Sequence, residues 1–210
     1  MSDTREKILM TALRLFAKDG YEAVSVSTIA GELGMTKGAL YRHYKNKRDI
    51  FDCIVERMIQ IDARRAREYA MPDEEYDAKP EPYENTTLQS IQEYTMEQFR
   101  FWTEDEFASC FRKMLTLEQY RNEEMAKLYQ SCIAAGPVAY MENIFSQMMA
   151  DGNMKRADSK LLATEFFAPM YLLIGISDHS ENKEQNLELL NRHIERFILQ
   201  NSVDGFGRKQ

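Results

Sequence analysis

Apolar residues recur along most of this chain every three or four positions, the spacing of one face of an α-helix. No stretch alternates apolar and polar residues as a half-buried strand does. Over residues 4–18 the apolar face is Ile8, Ala12, Leu15 and Phe16. Gly20 stands where a helix C-terminus commonly turns left-handed. Ser25 can cap the next helix through its hydroxyl, and that helix buries Val26, Ile29, Ala30 and Leu33. Gly34 then supplies a left-handed turn that a residue with a Cβ resists. Thr36 caps a third helix over residues 37–44, and Asn46 caps a long fourth. The stripe of the fourth is Ile50, Ile54, Met58 and Ile61, and it runs to about residue 69 with Arg64, Arg65 and Arg67 at its far end.

Residues 72–84 hold three prolines and six acidic residues. They read as a connecting loop. Helical periodicity resumes at residue 85 or 86 and predicts a helix to about 102, then one after a break at 104–106 to about 117, then one over 118–135. The Gly136-Pro137 pair breaks the chain or opens a helix to about residue 150. A turn at 151–153 leads to the most apolar helix, 158–176, and a polar loop at 178–184 leads to a last amphipathic one, 185–200. Residues 201–210 read as a frayed end. The expected fold is all-α, with about nine or ten helices. A three-helix helix-turn-helix domain occupies 1–50 and a larger helical domain occupies 51–210.

Charge sharpens this division. The 210 residues carry a net charge of −7. Residues 1–70 hold 13 Lys and Arg against 10 Asp and Glu, a balance of +3; residues 71–210 hold 14 against 24, a balance of −10. An acidic body repels nucleic acid and leaves the basic end to face it. The chain is 44% hydrophobic, enough for a core, with no apolar run near bilayer length. The first residues, MSDTREKILM, lack the apolar segment of a signal peptide. A cytoplasmic protein is expected. Cys53, Cys110 and Cys132 are odd in number and widely spaced, which reads as three thiols rather than a disulfide framework.

Two short helices, a tight turn and a third helix opening on basic residues are the layout that places one helix in the DNA major groove. Such a helix needs one apolar face and one face of donors and small residues. Leu40 and Tyr44 serve the first need; Lys37, Gly38, Tyr41 and Arg42 lie toward the other. Arg42 or Lys37 could donate to guanine. The start of the fourth helix, with Lys45, Lys47 and Arg48, suits a phosphate, and Ser27 and Thr28 could hold another.

Three ordered blocks carry a resemblance: R-x-x-I-L-x-x-A-x-x-L-F-A-x-x-G-Y from Arg5, S-V-x-x-I-A from Ser25, and G-M-T-K-G-A-L-Y-x-H-Y-K-N-K-x-x-I-F from Gly34. Over residues 5–58 the chain resembles the N-terminal domain of the TetR/AcrR family of transcriptional regulators. The resemblance implies that Thr36, Lys37, Gly38, Tyr41 and His43 touch bases or phosphates and that Lys47 binds phosphate. It makes Arg42 a variable position that sets sequence preference, and gives Ser27 and Thr28 weaker support. It also implies a dimer whose larger domain binds a small hydrophobic effector and thereby loosens the hold on a palindromic operator, as a repressor would.

The residues of the larger domain allow both jobs. A single helix-turn-helix specifies too few bases, so two copies on adjacent half-sites are expected. The last two helices could form a four-helix bundle with their symmetry mates. Candidate contacts are Leu161, Phe166, Met170, Leu173 and Ile174 on one and Leu187, Leu190, Ile194 and Phe197 on the other; the plainer reading is that they form the protomer's own core. Met and aromatic residues crowd the middle helices, and Phe99, Trp102, Phe111, Met114 and Tyr129 are candidate pocket residues, with core packing the plainer reading again. An enzyme is not expected. His43, His179 and His193 lack metal-ligand spacing, there is no phosphate-binding glycine loop or nucleophile elbow, and no cofactor or metal is called for. A rival reading keeps the scaffold but has it bind a protein partner, which the acidic body would suit.

Overall fold

A computed structural model of the chain describes residues 3–69, 71 and 86–203. Ten α-helices occur among the described residues, and no strand. They are α1 (Asp3–Asp19), α2 (Val26–Glu32), α3 (Lys37–Leu40), α4 (Lys47–Glu68), α5 (Leu88–Glu104), α6 (Glu106–Glu118), α7 (Glu123–Cys132), α8 (Ala135–Ala150), α9 (Ser159–Ser177) and α10 (Lys183–Asn201). The loop expected at 72–84 and the last seven residues lie outside the described residues.

Two compact units result, and neither is continuous in sequence: one is Met1–Asp62 with Asp105–Tyr129, the other Ala63–Glu104 with Gln130–Gln210. In the first, α1 packs on α6 and on α2, and α2 packs on α3. Ile8, Leu9, Ala12, Leu13 and Phe16 turn inward from α1; Phe107, Ala108, Phe111, Met114 and Leu115 are the buried apolar residues of α6. Leu15, expected on the buried face of α1, is half-exposed, and Leu9 and Leu13 take that face instead. Phe16, Tyr21 and Phe51 form a chain of rings at 5.0 and 5.1 Å.

The helix expected over 118–135 is shorter and runs over Glu123–Cys132. α6 ends at Glu118 and α7 begins at Glu123. Asn122 explains the new start, because its side-chain oxygen accepts from the backbone N–H of Glu124 at 2.9 Å and of Met125 at 3.2 Å.

An ion pair also ties α6 to α1. Arg14 donates to both carboxylate oxygens of Glu106, at 2.6 and 2.9 Å. The hydrogen bonds from Arg14 hold the Glu106 carboxyl below the usual carboxylate range, against the opposing effect of its partial burial. A lowered folded-state pKa means that this stabilisation is complete above the unfolded value and is lost as pH falls through the folded one. Both side chains are about half exposed, so screening limits the pair to less than about 1 kcal/mol. Arg14→Ala should therefore lower the melting temperature by about 2 °C at neutral pH and by progressively less as the pH falls below the ordinary carboxylate range, measured by calorimetry.

In the second unit α8 packs on α9, α9 on α10, and α5 on both α9 and α10. Its centre is an aromatic cluster in which Phe145, Phe166 and Phe197 meet at 5.0 to 5.5 Å. Arg65, from the end of α4, donates to the backbone carbonyl of Glu97 at 2.9 Å and lies over the Phe101 ring. The α10 helix does not fray at residue 201: the Asn201 carbonyl accepts from the Lys155 N–H at 2.8 Å, and Ser202 bridges Met154.

The α9 helix corrects one expectation. By length and composition it is apolar enough to cross a bilayer, although the sequence shows no uninterrupted apolar run. Its face carrying Leu162, Phe166, Met170, Leu173 and Ile174 is buried in the protein core. Lys160 and Glu165 are exposed.

Candidate nucleic-acid interface

The helix-turn-helix is assembled by its caps. The Ser25 hydroxyl accepts from the Thr28 N–H at 3.0 Å and starts α2. The chain leaves α2 through Gly34 at φ 62°, with Gly34 N–H donating to the Gly31 carbonyl and Met35 N–H to the Ala30 carbonyl. The Thr36 hydroxyl accepts from the Ala39 N–H at 3.2 Å and starts α3. Asn46 caps α4 through the Asp49 N–H at 2.9 Å, and the Asp49 carboxylate returns to the Lys45 N–H at 2.8 Å. The pair resembles a capping box, except that Asp49 takes the N–H of the residue before the cap rather than that of the cap itself.

The third helix is shorter than the expected 37–44. Regular α-structure ends at Leu40, and the next turn tightens, with Arg42 N–H donating to the Ala39 carbonyl and His43 N–H to the Leu40 carbonyl. Three-residue hydrogen bonds are common where a helix ends. Two residues clamp the segment. Leu40 is fully buried, and buried Tyr44 donates its hydroxyl to the Arg5 carbonyl of α1 at 3.1 Å. Burial pushes the Tyr44 phenol up, partly offset by Arg5, whose guanidinium lies 5.0 Å from the ring centre. Tyr44 is thus a neutral donor at any physiological pH.

With these two anchored, the opposite face is free of the protein. Thr36, Lys37, Gly38, Tyr41 and Arg42 are all exposed, and His43 is half-buried. The Lys37 ammonium sits 5.8 Å from the Tyr41 ring centre, and no Cβ at Gly38 would meet anything within 4 Å. Nothing among the described residues explains a glycine there. Ser27 and Thr28 are exposed at the start of α2, although the Thr28 hydroxyl is already 2.9 Å from that of Ser25.

Lys47 is placed differently from the others. Its ammonium donates to the Tyr21 carbonyl at 2.8 Å and the Glu22 carbonyl at 3.4 Å, and lies 4.2 Å from the Tyr21 ring centre. It pins the loop between α1 and α2, a role with no signal in the sequence beyond the aromatic at position 21. An ammonium has three donors, so one is left for another acceptor. Arg48, grouped with Lys45 and Lys47 by sequence, is engaged: it bonds Asp52 at 2.6 Å and makes a two-pronged pair with Glu124. These carboxylates raise its already high pKa further, Glu124 most.

The candidate pocket and dimer residues fall elsewhere. Phe99 lies in the core of the second unit with Trp102 packed against it, while Phe111, Met114 and Tyr129 are buried in the first unit. The five do not form one group. Of the nine candidate interface residues, Phe166, Met170, Leu173, Ile174, Leu187, Leu190, Ile194 and Phe197 are buried in the core of their own unit, and only Leu161 is exposed. The outward apolar residues of these two helices are Leu161, Tyr171, Leu172 and Ile176 on α9 and Leu189 and Leu199 on α10.

Residues 8–54 match the family of bacterial regulatory proteins, tetR family. The chain is 47% identical over 47 residues to the uncharacterized HTH-type transcriptional regulator YerO of Bacillus subtilis, covering 22% of this chain and 16% of that protein. It is 46% identical over 54 residues to the HTH-type transcriptional regulator AcrR of Shigella flexneri, 26% of this chain and 25% of that one. The chain thus spans no more than a quarter of the length of either relative. Similarity of fold extends much further. SmeT, the repressor of the Stenotrophomonas maltophilia multidrug efflux pump SmeDEF, superposes with a TM-score of 0.63 at 20% identity over 100% of this chain and 96% of its own. Its triclosan complex gives 0.66 at 21% identity over 99% and 96%. A TetR family regulator of Pseudomonas syringae gives 0.64 at 16% identity over 97% and 100%. The anchored, outward-facing helix therefore sits in an N-terminal domain of the tetR family of bacterial regulatory proteins, carried on a chain with the TetR-family fold.

Proposed function

We propose that this chain is a cytoplasmic transcriptional regulator whose residues 1–50 bind a palindromic operator, and whose residues 51–210 dimerise and respond to a small hydrophobic effector that releases it from DNA, as a repressor. One observation carries the reading. Leu40 and Tyr44 fix the α3 segment to its own unit while Thr36, Lys37, Gly38, Tyr41 and Arg42 stay exposed. The match over residues 8–54 supports it. The effector rests on fold likeness to SmeT, whose complex with triclosan is known. Dimerisation is supported by the outward apolar residues of α9 and α10, of which Leu161 is the one named by the sequence. A patch of this kind marks an association surface.

Unbiased site selection with the purified protein tests the reading; enrichment of a palindrome is expected, and a pool without one overturns it. Two variants then separate roles in a salt titration on the enriched site. Arg42→Ala should change which base is preferred at about 1–3 kcal/mol per position. Lys47→Ala should weaken all sequences alike and reduce the salt slope by about one. Because its ammonium also holds the loop carbonyls, it should in addition lose about 1 kcal/mol of stability, read by urea denaturation. A Lys47→Ala protein with parental stability would show that the ammonium is not an anchor.

A further inference from the structure

The start of α4 carries three cations, Lys45, Lys47 and Arg48. A helix start also favours an anion through its own dipole. Three carboxylates touch the same region: Asp49 and Asp52 of α4, and Glu124 of α7. Among these six side chains the charges cancel, so the field that would draw a DNA backbone here is weak.

The three cations are engaged to different degrees. Lys45 is exposed, and Lys47 keeps one donor after its two carbonyl partners. Arg48 is held hardest. Its Nε donates to Asp52 at 2.6 Å, and Nη1 and Nη2 donate to the two oxygens of Glu124 at 2.6 and 2.5 Å. Its position suits another partner as well. The Cα–Cβ bond of a helical residue tilts toward the helix N-terminus. From the second residue of α4 the side chain therefore sets out toward the end flanked by Lys45 and Lys47. Asp52 lies one turn the other way and Glu124 on another helix. Together they hold the guanidinium near the Phe51 ring, 5.3 Å from its centre. Arg48 and both carboxylates are about half exposed. Such pairs in water are weak, and a phosphate offers a guanidinium the same two-pronged geometry as a carboxylate.

We propose that Arg48 is a masked phosphate contact: Glu124 competes with the DNA backbone for its guanidinium and so sets the affinity of the helix-turn-helix for any duplex. The proposal rests on the DNA-binding reading and goes beyond it. It makes a residue of α7, outside the matched residues 8–54, a determinant of DNA affinity.

Fluorescence anisotropy of the full chain with a labelled duplex of scrambled sequence, over a range of sodium chloride concentrations, tests it. A scrambled duplex isolates backbone contacts from base readout. Glu124→Gln should bind about 5-fold more tightly and steepen the salt slope by about one for each bound protomer, the mark of an added phosphate contact. That variant removes a negative charge as well as releasing Arg48, and a second substitution separates the two effects. Arg48→Gln alone should bind within about 2-fold of the parent, because the masked guanidinium contributes little. Arg48→Gln combined with Glu124→Gln should lose the gain in affinity and in slope. A gain that survives Arg48→Gln comes from lost repulsion and overturns the masking. So does a Glu124→Gln protein with parental affinity and slope, or an Arg48→Gln protein that already loses a phosphate contact from its slope. Both positions are exposed, and parental urea curves would confirm that the variants fold. A parent that binds no duplex sinks the DNA-binding reading too, whereas a parent that binds beside a Glu124→Gln protein that does not tighten sinks the masking alone.

Discussion

Gly20→Ala is expected to lower the melting temperature by about 6–12 °C, from a loss of about 3 kcal/mol. Two separate causes act at this position. Gly20 closes α1 with φ at 87°, where its N–H still donates to the Phe16 carbonyl at 3.0 Å. A residue with a Cβ resists that left-handed conformation by about 1–2 kcal/mol. The second cause is steric: a Cβ at residue 20 would stand 2.4 Å from Oε1 of Glu118. The end of a glutamate normally swings aside at little expense. Glu118 is fully buried, and its carboxylate accepts no hydrogen bond in the described structure, with Arg121 at 3.9 Å. A swing would thus push a carboxylate into packed neighbours. Differential scanning calorimetry measures the loss, and pairing Gly20→Ala with Glu118→Ala separates its parts. The steric part should disappear in the double variant and the torsional part should remain, giving a coupling of about 1–2 kcal/mol. A single variant melting within about 2 °C of the parent would mean that the two causes are absent.

How far such a site is legible in advance depends on whether the chemistry is local. Ser25, Gly34, Thr36 and Asn46 each bond or bend within four residues of themselves, and each does what its residue type implies. The helix-turn-helix is legible for that reason. Non-local partners leave no such mark. Nothing near Lys47 in sequence says that it reaches back to the carbonyl of Tyr21, or that Arg48 is committed to Glu124. The partition of α6 is hidden for the same reason: its apolar positions show that Phe107, Phe111 and Met114 are inward, not which core receives them. The end of α3 is hidden because the tightened turn after Leu40 keeps Tyr44 on the buried side, so its apolar spacing still looks helical. In α9 the difficulty is different. Both of its faces are apolar, so periodicity cannot tell the core residue Phe166 from the outward Leu172.

That outward face supplies the second large effect: in the proposed dimer, Leu172→Glu should separate the two copies without unfolding either. Leu161, Leu172 and Ile176 are 57%, 62% and 47% exposed. Their separations of eleven and four residues place them on one side of α9, with exposed Ala168 one turn before Leu172. Leu189 and Leu199 are the outward apolar residues of α10. In a two-fold interface each substitution occurs twice. Two glutamates that lose water without a partner should raise the dimer dissociation constant by at least about 100-fold. Folding should hardly change, within about 0.5 kcal/mol, since the side chain is already mostly in water. This contrast separates assembly from stability. Phe166→Glu would place a charge inside the cluster formed with Phe145 and Phe197 and unfold the unit, so loss of the dimer there would carry no information. Sedimentation equilibrium of Leu172→Glu at micromolar concentration gives the mass, and binding to one and two half-sites gives the consequence. The one-half-site affinity should stay parental while the gain from the second half-site disappears. If Leu172→Glu sediments as a dimer, this face is not where two copies meet.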